Sequence, residues 1–234
     1  MAAPGSIAAA LIAAGLLALG GWSFWRYVWF FRNPPRSAPP GEGVLSAADG
    51  TVVYVKEVAP GAEVVSIKQG LAATLGDIVR EHLDGPKLVI GVFMSPFDVH
   101  YNRAPLSGTV GFVRHHAGRG ANRHMGAMHW RILRRRAPYY AGAEHIARNE
   151  RTVTRIDGAL GGAPLSCYVV QIAARSVAGI DSYVAAGARV ERGAVFGMIR
   201  IGSQVDIVLP LRPGLGPLVR PGQRVRAGET VLAG

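Results

Sequence analysis

The chain begins with an apolar stretch that is long enough to cross a membrane. Residues 6–25 are twenty amino acids without a charged side chain, and a stretch of about this length spans a hydrocarbon core. An aromatic cluster at 27–31 follows, flanked by Arg26 and Arg32, and this combination is typical of a membrane–water interface. The pattern predicts a membrane anchor over residues 1–33, either a spanning helix or a monotopic one, rather than a buried core helix.

The arginines near this stretch predict its orientation. All of them follow the apolar run, and basic residues favour the cytoplasmic side, so we expect the rest of the chain on the cytoplasmic face of the cell (inner) membrane. No basic residue precedes the run, and no small-residue cleavage site stands before the aromatic cluster, which argues against a cleaved signal peptide. The proline-rich residues 34–43 are predicted to be a linker between the anchor and the next domain.

Beyond residue 44 the pattern changes to short β-branched runs separated by glycine turns, which is typical of a β-rich domain. The runs that predict strands lie at 51–55, 63–67, 87–94, 109–113, 167–173 and 204–210. A single helix is predicted, over residues 71–83, where leucine, isoleucine and valine fall on one helical face. The sequence therefore predicts a mainly β domain with a minor α component over residues 44–234.

Two segments of this domain each occur twice. The sequence DGTVVYVK at 49–56 is echoed by SGTVGFVR at 107–114, and residues 184–199 are echoed by residues 219–234. The second pair repeats a V-x-x-G-x-x-V-x-x-G pattern, which places a glycine turn on each side of a short strand. These repeats resemble the hairpins of biotinyl- and lipoyl-type domains, and the resemblance implies a barrel-sandwich-like fold.

Composition and charge narrow the classes of function. The one cysteine, Cys167, excludes a disulfide framework within the chain and any site that needs several cysteines. The net charge of +11 indicates an anionic partner. The segment 114–136 is rich in arginine and histidine and holds no acidic residue, so it is either a solvated loop or a surface for anionic lipids. We expect no nucleic acid as partner, because no nucleic-acid-binding motif is present, and no metal site, because the histidines lack regular spacing.

A Gly-Ser pair, Gly202-Ser203, lies between two apolar strand-like runs. By itself the pair would indicate only a turn. Five further segments precede it, in the order FFRNPPR (30–36), AADG (47–50), SPFDVHYNRAP (95–105), RNER (148–151) and QIAARSV (171–177). Together, from residue 30 to residue 209, these segments resemble phosphatidylserine decarboxylase in its short prokaryotic form.

This resemblance implies an enzyme that is made as a proenzyme. The chain would cut itself between Gly202 and Ser203, and Ser203 would become a pyruvoyl group. The small chain, residues 203–234, would stay associated with the large chain, residues 1–202. The implied reaction converts phosphatidylserine into phosphatidylethanolamine and CO₂ through a Schiff base on the pyruvoyl carbonyl, with neither pyridoxal phosphate nor a metal. A glycine before the serine suits this chemistry, because the backbone there can take a strained turn that a Cβ would resist.

The resemblance also assigns roles to acidic and histidine side chains. Asp49, in AADG, matches the aspartate of the self-cleavage relay, although an Asp-Gly pair alone would indicate a turn. Asp98 and His100, in SPFDVH, match the substrate side of the site. His100 would assist decarboxylation and return a proton to the substrate Cα.

One position departs from the pattern of the larger relatives. They carry a second histidine three residues after the first, and this chain has Arg103 there. An arginine cannot act as a base at neutral pH. The resemblance offers His116 as the substitute base for Ser203, because it lies near the position of a histidine common in the short form, and His115 is a weaker candidate.

Two other functions compete with this interpretation. The same pyruvoyl chemistry could act on another amino-acid phospholipid. A protein of a different class, a non-catalytic membrane-anchored barrel-sandwich adaptor, would suit the C-terminal repeat. Such adaptors carry long coiled-coil helices, and the sequence contains no heptad pattern. Denaturing electrophoresis separates the classes, because a self-cleaving enzyme gives two chains and an adaptor gives one.

Overall fold

A computed structural model describes residues 4–175, 179–200 and 202–234 of the chain. These residues divide into two units, one ending at Pro34 and one beginning at Pro35. In the first unit, helix α1 (Pro4–Phe24) leads into a π-helical turn over Trp25–Trp29. The stretch Ile7–Trp29 is long and apolar enough to cross a membrane. The prediction of an apolar N-terminal helix is thereby confirmed.

The second unit is built mainly of short strands. The strands are β1 (Val44–Leu45), β2 (Gly50–Val58), β3 (Glu63–Lys68), β4 (Leu71–Thr74), β5 (Lys87–Met94), β6 (Tyr101–Arg103), β7 (Gly108–His116), β8 (Arg151–Leu160), β9 (Ala163–Ala173), β10 (Ile180–Ser182), β11 (Arg189–Val190), β12 (Val195–Ile199), β13 (Ser203–Pro210), β14 (Arg224–Val225) and β15 (Val231–Ala233). The helices are α2 (Leu75–Val79), α3 (Gly126–Leu133) and α4 (His145–Arg148). The prediction of a mainly β fold is confirmed.

One antiparallel sheet of eight strands organises the unit, in the order β11-β7-β8-β9-β13-β5-β2-β14. The sheet is curled into a half-barrel. A three-stranded sheet, β10-β12-β6, and the pairs β3-β4 and β1-β15 complete the fold. Strand β13 lies in the interior of the large sheet, between β9 and β5, and this strand carries Ser203 at its first position.

The internal repeats occupy equivalent places in this sheet. Strands β2 and β7 hold the first pair of echoes, and each is flanked at the sheet edge by one copy of the second pair, β14 or β11. The two pairs also share a hydrogen bond. The N–H of Gly187 donates to the carbonyl oxygen of Val110, and the N–H of Gly222 donates to the carbonyl oxygen of Val52, both at 2.8 Å. The repeats predicted from the sequence are therefore structural repeats of a strand with its glycine-flanked partner.

The large sheet is covered on both faces. On β5, Leu88 and Ile90 belong to one buried apolar cluster, while Val89 and Phe93 belong to the other. This alternation is the period-two pattern of a strand between two layers, and it explains why β5 reads as a nearly continuous apolar run. Because of this period, neighbouring residues of β13 serve different faces of the sheet.

The single helix predicted over 71–83 is wrong in extent. Residues Leu71–Thr74 form strand β4 in a hairpin with β3, and only Leu75–Val79 is helical. A capping box starts the helix at Thr74, whose Oγ1 accepts from the N–H of Asp77 at 3.2 Å. The helix ends at Arg80, which has a left-handed backbone with φ of 55°. The local signals for a start and a stop thus outweigh the apolar periodicity.

Strand β8 and helices α3 and α4 are among the elements that the sequence analysis did not place. Strand β8 alternates polar and apolar residues, so it lacks the continuous apolar run used to predict its neighbours. Helices α3 and α4 add to the single helix expected. The segment 114–136, expected to be either a solvated loop or a surface for anionic lipids, contains the end of β7 at His116 and helix α3, which buries Met128 against the core.

Candidate active site

The bond between Gly202 and Ser203 lies at the entry to strand β13. Gly202 has a left-handed backbone with φ of 61°, a conformation that a residue with a side chain adopts only with strain. Its carbonyl oxygen accepts a hydrogen bond from the backbone N–H of Ala174 at 3.2 Å. The peptide carbonyl that an attacking serine must reach is therefore already held by a donor.

The Ser203 side chain is fully buried on the face of the sheet that the three-stranded sheet covers. Its hydroxyl lies 3.4 Å from Sδ of Met94, its partner on β5. The amide nitrogen of Asn102 approaches the same sulfur at 3.9 Å, and Gln171 donates to Oδ1 of Asn102 at 2.8 Å. Asn102 and Gln171 are both fully buried, so Ser203 stands beside a small polar group inside an apolar core.

His100 lies immediately before β6 and is fully buried. Its Nδ1 is 2.9 Å from the carbonyl oxygen of Asp98. Since a carbonyl only accepts, the neutral ring must carry its proton on Nδ1, which leaves the lone pair on Nε2. The backbone of the turn thus selects the tautomer in which Nε2 is the basic nitrogen.

The Asp98 carboxylate organises the turn between β5 and β6. It accepts from the N–H and the hydroxyl of Ser95, both at 2.8 Å, and it forms an ion pair with Arg224 of β14. Burial alone would raise the pKa of Asp98, but the hydrogen bonds from Arg224 and Ser95 outweigh it and hold the pKa below its usual value. Asp98 is therefore a charged tether between this turn and the C-terminal repeat.

The Asp49 carboxylate is held by a fork of two hydrogen bonds from Arg36, at 2.7 and 2.8 Å. Its Oδ1 also accepts from the N–H of Ala227 at 2.8 Å. Both side chains of the ion pair are nearly buried, with 7% of Arg36 and 11% of Asp49 exposed. This geometry makes Asp49 an anchor for two distant segments of chain.

Arg103 lies between the glycine turns of the two C-terminal repeats. Its guanidinium donates to the carbonyl oxygen of Gly193 at 2.9 Å, and its Cδ would stand 2.8 Å from a Cβ added at Gly228. Burial and the neighbouring Arg36 lower the pKa of Arg103, against the opposing charge of Asp49. The structure therefore places the guanidinium against the backbone of one glycine turn and near the Arg36–Asp49 ion pair.

The two candidate bases lie away from Ser203. His116 ends β7 and is in register with Arg151, Ile172 and Gln204 on the three strands that follow across the sheet. Three strand spacings amount to about 14 Å. The ring nitrogen Nε2 of His116 is 3.1 Å from Glu81. The ring nitrogen Nδ1 of His115 lies 3.2 Å from the hydroxyl oxygen of Thr152. Neither histidine therefore lies beside the Gly202–Ser203 bond.

A second polar network lies on the opposite face of β13. Tyr54 donates to Asp206 at 2.7 Å, and the side-chain amide of Gln204 donates to Tyr54 at 2.8 Å and to Asp206 at 2.7 Å. The ring of His145, on α4, lies 3.0 Å from the amide oxygen of Gln204. All of these groups are buried. The strand therefore places Ser203 on one face and its neighbour Gln204 in a hydrogen-bond network on the other.

Burial shifts the pKa values of two side chains in this network in opposite directions. Burial raises the pKa of Asp206 to about 6, against the hydrogen bonds from Tyr54 and Gln204. Burial lowers the pKa of His145 to about 4, with Arg151 adding to the effect. Gly91 makes room for the Tyr54 ring, because a Cβ there would stand 2.6 Å from the ring. The network is thus packed tightly around groups that resist being charged.

Several residues of the site were not singled out from the sequence. Arg36 lies in the segment RNPPR, Asn102 in SPFDVHYNRAP, and Gln171 is a polar residue in an otherwise apolar strand. These settings are the signals that could have identified them, because a polar residue inside an apolar run needs a buried partner. Arg224 and Ala174 act through an ion pair and a backbone N–H, which only the folded structure brings into place.

The residues around Ser203 can be compared with what a metal ion or a pyruvoyl group would need. Within residues 4–175, 179–200 and 202–234, no three side chains of the kinds that bind metals are placed to hold an ion. Ser203 directly follows a left-handed glycine whose carbonyl oxygen accepts a hydrogen bond from the N–H of Ala174. A pyruvoyl group at this position would start β13 and have Met94 and Asn102 as neighbours.

Comparisons with known proteins bear on this geometry. The sequence model of the family described as phosphatidylserine decarboxylase matches residues 24–233. The phosphatidylserine decarboxylase proenzyme of Gluconobacter oxydans is 37% identical over 207 residues, which cover 88% of this chain and 75% of that protein. The proenzymes of the same name from Thermobifida fusca and Mycobacterium marinum are 36% and 35% identical, over 87% and 94% of this chain and 71% and 74% of their own lengths. The chain belongs to the phosphatidylserine decarboxylase family.

Proposed function

We propose that the protein cuts itself between Gly202 and Ser203 and then decarboxylates phosphatidylserine to phosphatidylethanolamine and CO₂. The observation that carries this proposal is the left-handed Gly202 whose carbonyl is held by Ala174 directly before the buried Ser203. Family membership supplies the reaction class and the substrate. The proposal does not require a metal or a diffusible cofactor.

Self-cleavage begins with attack of the Ser203 hydroxyl oxygen on the carbonyl carbon of Gly202. The C–N bond breaks as the new C–O bond forms, which gives an ester and a free amine at residue 203. Elimination of the Gly202 carboxylate leaves a dehydroalanine, and its hydrolysis by water gives the pyruvoyl group and ammonia. During the attack, negative charge develops on the Gly202 oxygen, where the N–H of Ala174 is already in place to stabilise it.

The pyruvoyl group, once formed, provides a carbonyl that binds the substrate amine and withdraws electrons from the bond to the carboxylate. The residues of the chain prepare the surroundings for this step. His100 presents Nε2 as its basic nitrogen, because the Asp98 carbonyl oxygen holds Nδ1. It is our candidate for the group that returns a proton to the substrate Cα after CO₂ leaves.

In this proposal Asp49 acts through position. Its carboxylate accepts two hydrogen bonds from Arg36 and one from Ala227, so three of its roughly four acceptor positions are already engaged in the folded proenzyme. It ties the segment before β1 to the C-terminal repeat. We infer that Asp49 supports self-cleavage by holding these segments in register, and that Arg103 assists by packing between the two repeats.

The two chains produced by cleavage would remain together. Strand β13 belongs to the small chain and lies between β5 and β9, which belong to the large chain. The ion pair of Arg224 with Asp98 and the hydrogen bond from Ala227 to Asp49 would also join the two chains. Separating them would break the centre of the sheet, so we expect dissociation only on unfolding.

We further propose that the enzyme works at the cytoplasmic face of the cell membrane. The apolar helix would hold it in the bilayer, and the arginines of 119–136 would contact anionic lipid headgroups at about 1 kcal/mol each. Salt should weaken the second contact and leave the first unchanged. Deletion of residues 1–33 should therefore give a protein that binds anionic vesicles only at low salt, measured by co-sedimentation.

Intact mass and denaturing electrophoresis of the purified protein test the central proposal. The wild type should give two chains, the smaller being residues 203–234 with a pyruvoyl start, and should release CO₂ from phosphatidylserine. Ser203→Ala should give one uncut and inactive chain. Ser166→Ala is the matched control, because Ser166 lies on β9 seven residues before the partner of Ser203, and its hydroxyl donates to Asp157 at 2.6 Å. Normal splitting of Ser203→Ala would refute the proposal.

A further inference from the structure

Helix α3 and the turn after β5 enclose a groove that the steps above do not use. Its volume is about 240 Å³. Its lining is apolar at Phe93, Phe97, Ile132 and Leu133 and polar at Thr51, Ser95, His129 and Arg224. The groove therefore combines apolar side chains with a polar part, where Arg224 forms an ion pair with Asp98.

Helix α3 separates a buried side from an exposed apolar side. Met125 and Met128 are buried in the core beneath the sheet. Trp130 and Leu133 lie one helical turn apart on the exposed side. Their side chains are 58% and 60% exposed. Tryptophan beside exposed leucine on a short amphipathic helix is typical of a surface that lies in a membrane interface.

The charges around α3 indicate which partner covers this side. Arg131 lies within the helix, and Arg134, Arg135 and Arg136 follow it directly, with no acidic residue in the whole segment 114–136. Such a cluster beside exposed apolar side chains complements the anionic surface and hydrocarbon of a phospholipid bilayer. The groove would then open at the level of the lipid chains.

The floor of the groove lies next to the strand that carries the cleavage site. Phe93 is paired with Gln204, and Met94 with Ser203, in the ladder between β5 and β13. Paired residues in such a ladder are about 5 Å apart at Cα. Because Ser203 faces the other side of the sheet from Phe93, a substrate that reaches both would pass the end of β5, at the turn over residues 95–98.

We propose that this groove holds a segment of one acyl chain of the phospholipid substrate while the headgroup reaches residue 203. This inference rests on the proposed function and names a subsite for its substrate. The volume is below the roughly 300–1,000 Å³ of pockets that enclose a whole drug-sized ligand, so the groove takes part of a chain and the rest remains in the bilayer. Ile132 and Leu133 contact the acyl chain, and the headgroup lies on the side of Arg224.

The test compares two water-soluble substrates, so that contact with the membrane does not enter the result. Full-length enzyme in phosphatidylcholine nanodiscs is given dihexanoyl phosphatidylserine or glycerophosphoserine, which has the same headgroup and no acyl chains. The quantity measured is the ratio of the two kcat/KM values. In Leu133→Asp this ratio should fall about tenfold, because a charge replaces apolar contact, whereas Leu133→Phe should retain it.

Leu218→Asp is the matched control, because Leu218 is 62% exposed and lies outside the groove; its ratio should equal that of the wild type. Splitting into two chains reports that each variant has folded. A wild-type ratio near one, or an unchanged ratio in Leu133→Asp, would overturn the inference. Turnover of long-chain phosphatidylserine in the same discs checks the proposed function separately, so the two failures are distinguishable.

Discussion

The backbone N–H of Ala174 donates to the carbonyl oxygen of Gly202 at 3.2 Å, one residue beyond the last pair of the ladder between β9 and β13. The ladder ends where Ser203 is paired with Ala173, and the next donor, just after β9, is directed at the bond that the proposed self-cleavage would break. Because the sheet fixes this donor before such a reaction starts, no reorganisation would be needed as charge develops on the oxygen.

Removal of this donor should slow self-cleavage. Ala174→Pro lacks the backbone N–H, and the preceding Ala173 is in a strand, which is the conformation that a following proline favours. We expect the rate of splitting to fall about 10²–10³-fold, the range found when one oxyanion donor is removed. The measurement is the time course of conversion from one chain to two on denaturing gels.

Ala174→Ser keeps the N–H and serves as control, with splitting close to the wild-type rate. Thermal unfolding of the uncut Ala174→Pro protein separates slow chemistry from a failure to fold. A folded Ala174→Pro chain that splits at the normal rate would remove the donor from the reaction.

The ion pair of Arg36 with Asp49 should matter for both stability and splitting. Arg36→Ala leaves a nearly buried carboxylate without its forked partner, and breaking such a pair costs about 3–5 kcal/mol. If Asp49 acts through position, Arg36→Ala should slow splitting about as much as Asp49→Ala. The measurements are the free energy of unfolding and the splitting rate, with Arg226→Ala as control because 74% of that side chain is exposed. Normal splitting in Arg36→Ala alongside a block in Asp49→Ala would show that the carboxylate itself takes part.

The sequence permitted prediction of the strands that read as continuous apolar runs. Residues 87–94 coincide with β5 because both faces of that strand are buried, and the repeats identified two equivalent strand pairs. Strand β8 could not be found in the same way, because it has no continuous apolar run; its alternation of polar and apolar residues is a separate strand signal. The same limit applies to the candidate site. Gly202 and Ser203 could be identified because they are adjacent in the sequence. The partner of Asp49, Arg36, and the donor to Gly202, Ala174, could not, because the folded chain brings them into contact.

His100 and His116 should differ in effect because the fold places them differently. His100→Ala should lower the rate of decarboxylation and leave splitting intact, since its ring belongs to the turn on the substrate side. His116→Ala should leave splitting close to normal, because that ring is bound to Glu81 about three strands from Ser203. Splitting is followed on gels and decarboxylation by CO₂ release. A block of splitting in His116→Ala would restore it as the candidate base.

The buried pair of Asp206 and His145 makes opposite contributions to stability as pH changes. Asp206 has a raised pKa of about 6 in the folded protein, against an ordinary value of 3.8, so the folded state binds its proton more tightly and loses stability as pH rises from about 4 to 6. His145 has a lowered pKa of about 4, against 6.5. The unfolded state therefore binds its proton more tightly, and this group adds stability as pH rises from about 4 to 6.5.

The two contributions offset each other in the wild type, so removal of one group should appear as the loss of that group's own contribution. Relative to the wild type, the free energy of unfolding of Asp206→Asn should rise by about 3 kcal/mol as pH rises from about 4 to 6. Relative to the wild type, that of His145→Gln should fall as pH rises from about 4 to 6.5. Thermal melts of the mature protein at half-unit pH steps, each subtracted from the wild type, measure both slopes and cancel the other titrating groups. Identical slopes in all three proteins would mean that neither side chain titrates differently in the folded and unfolded states.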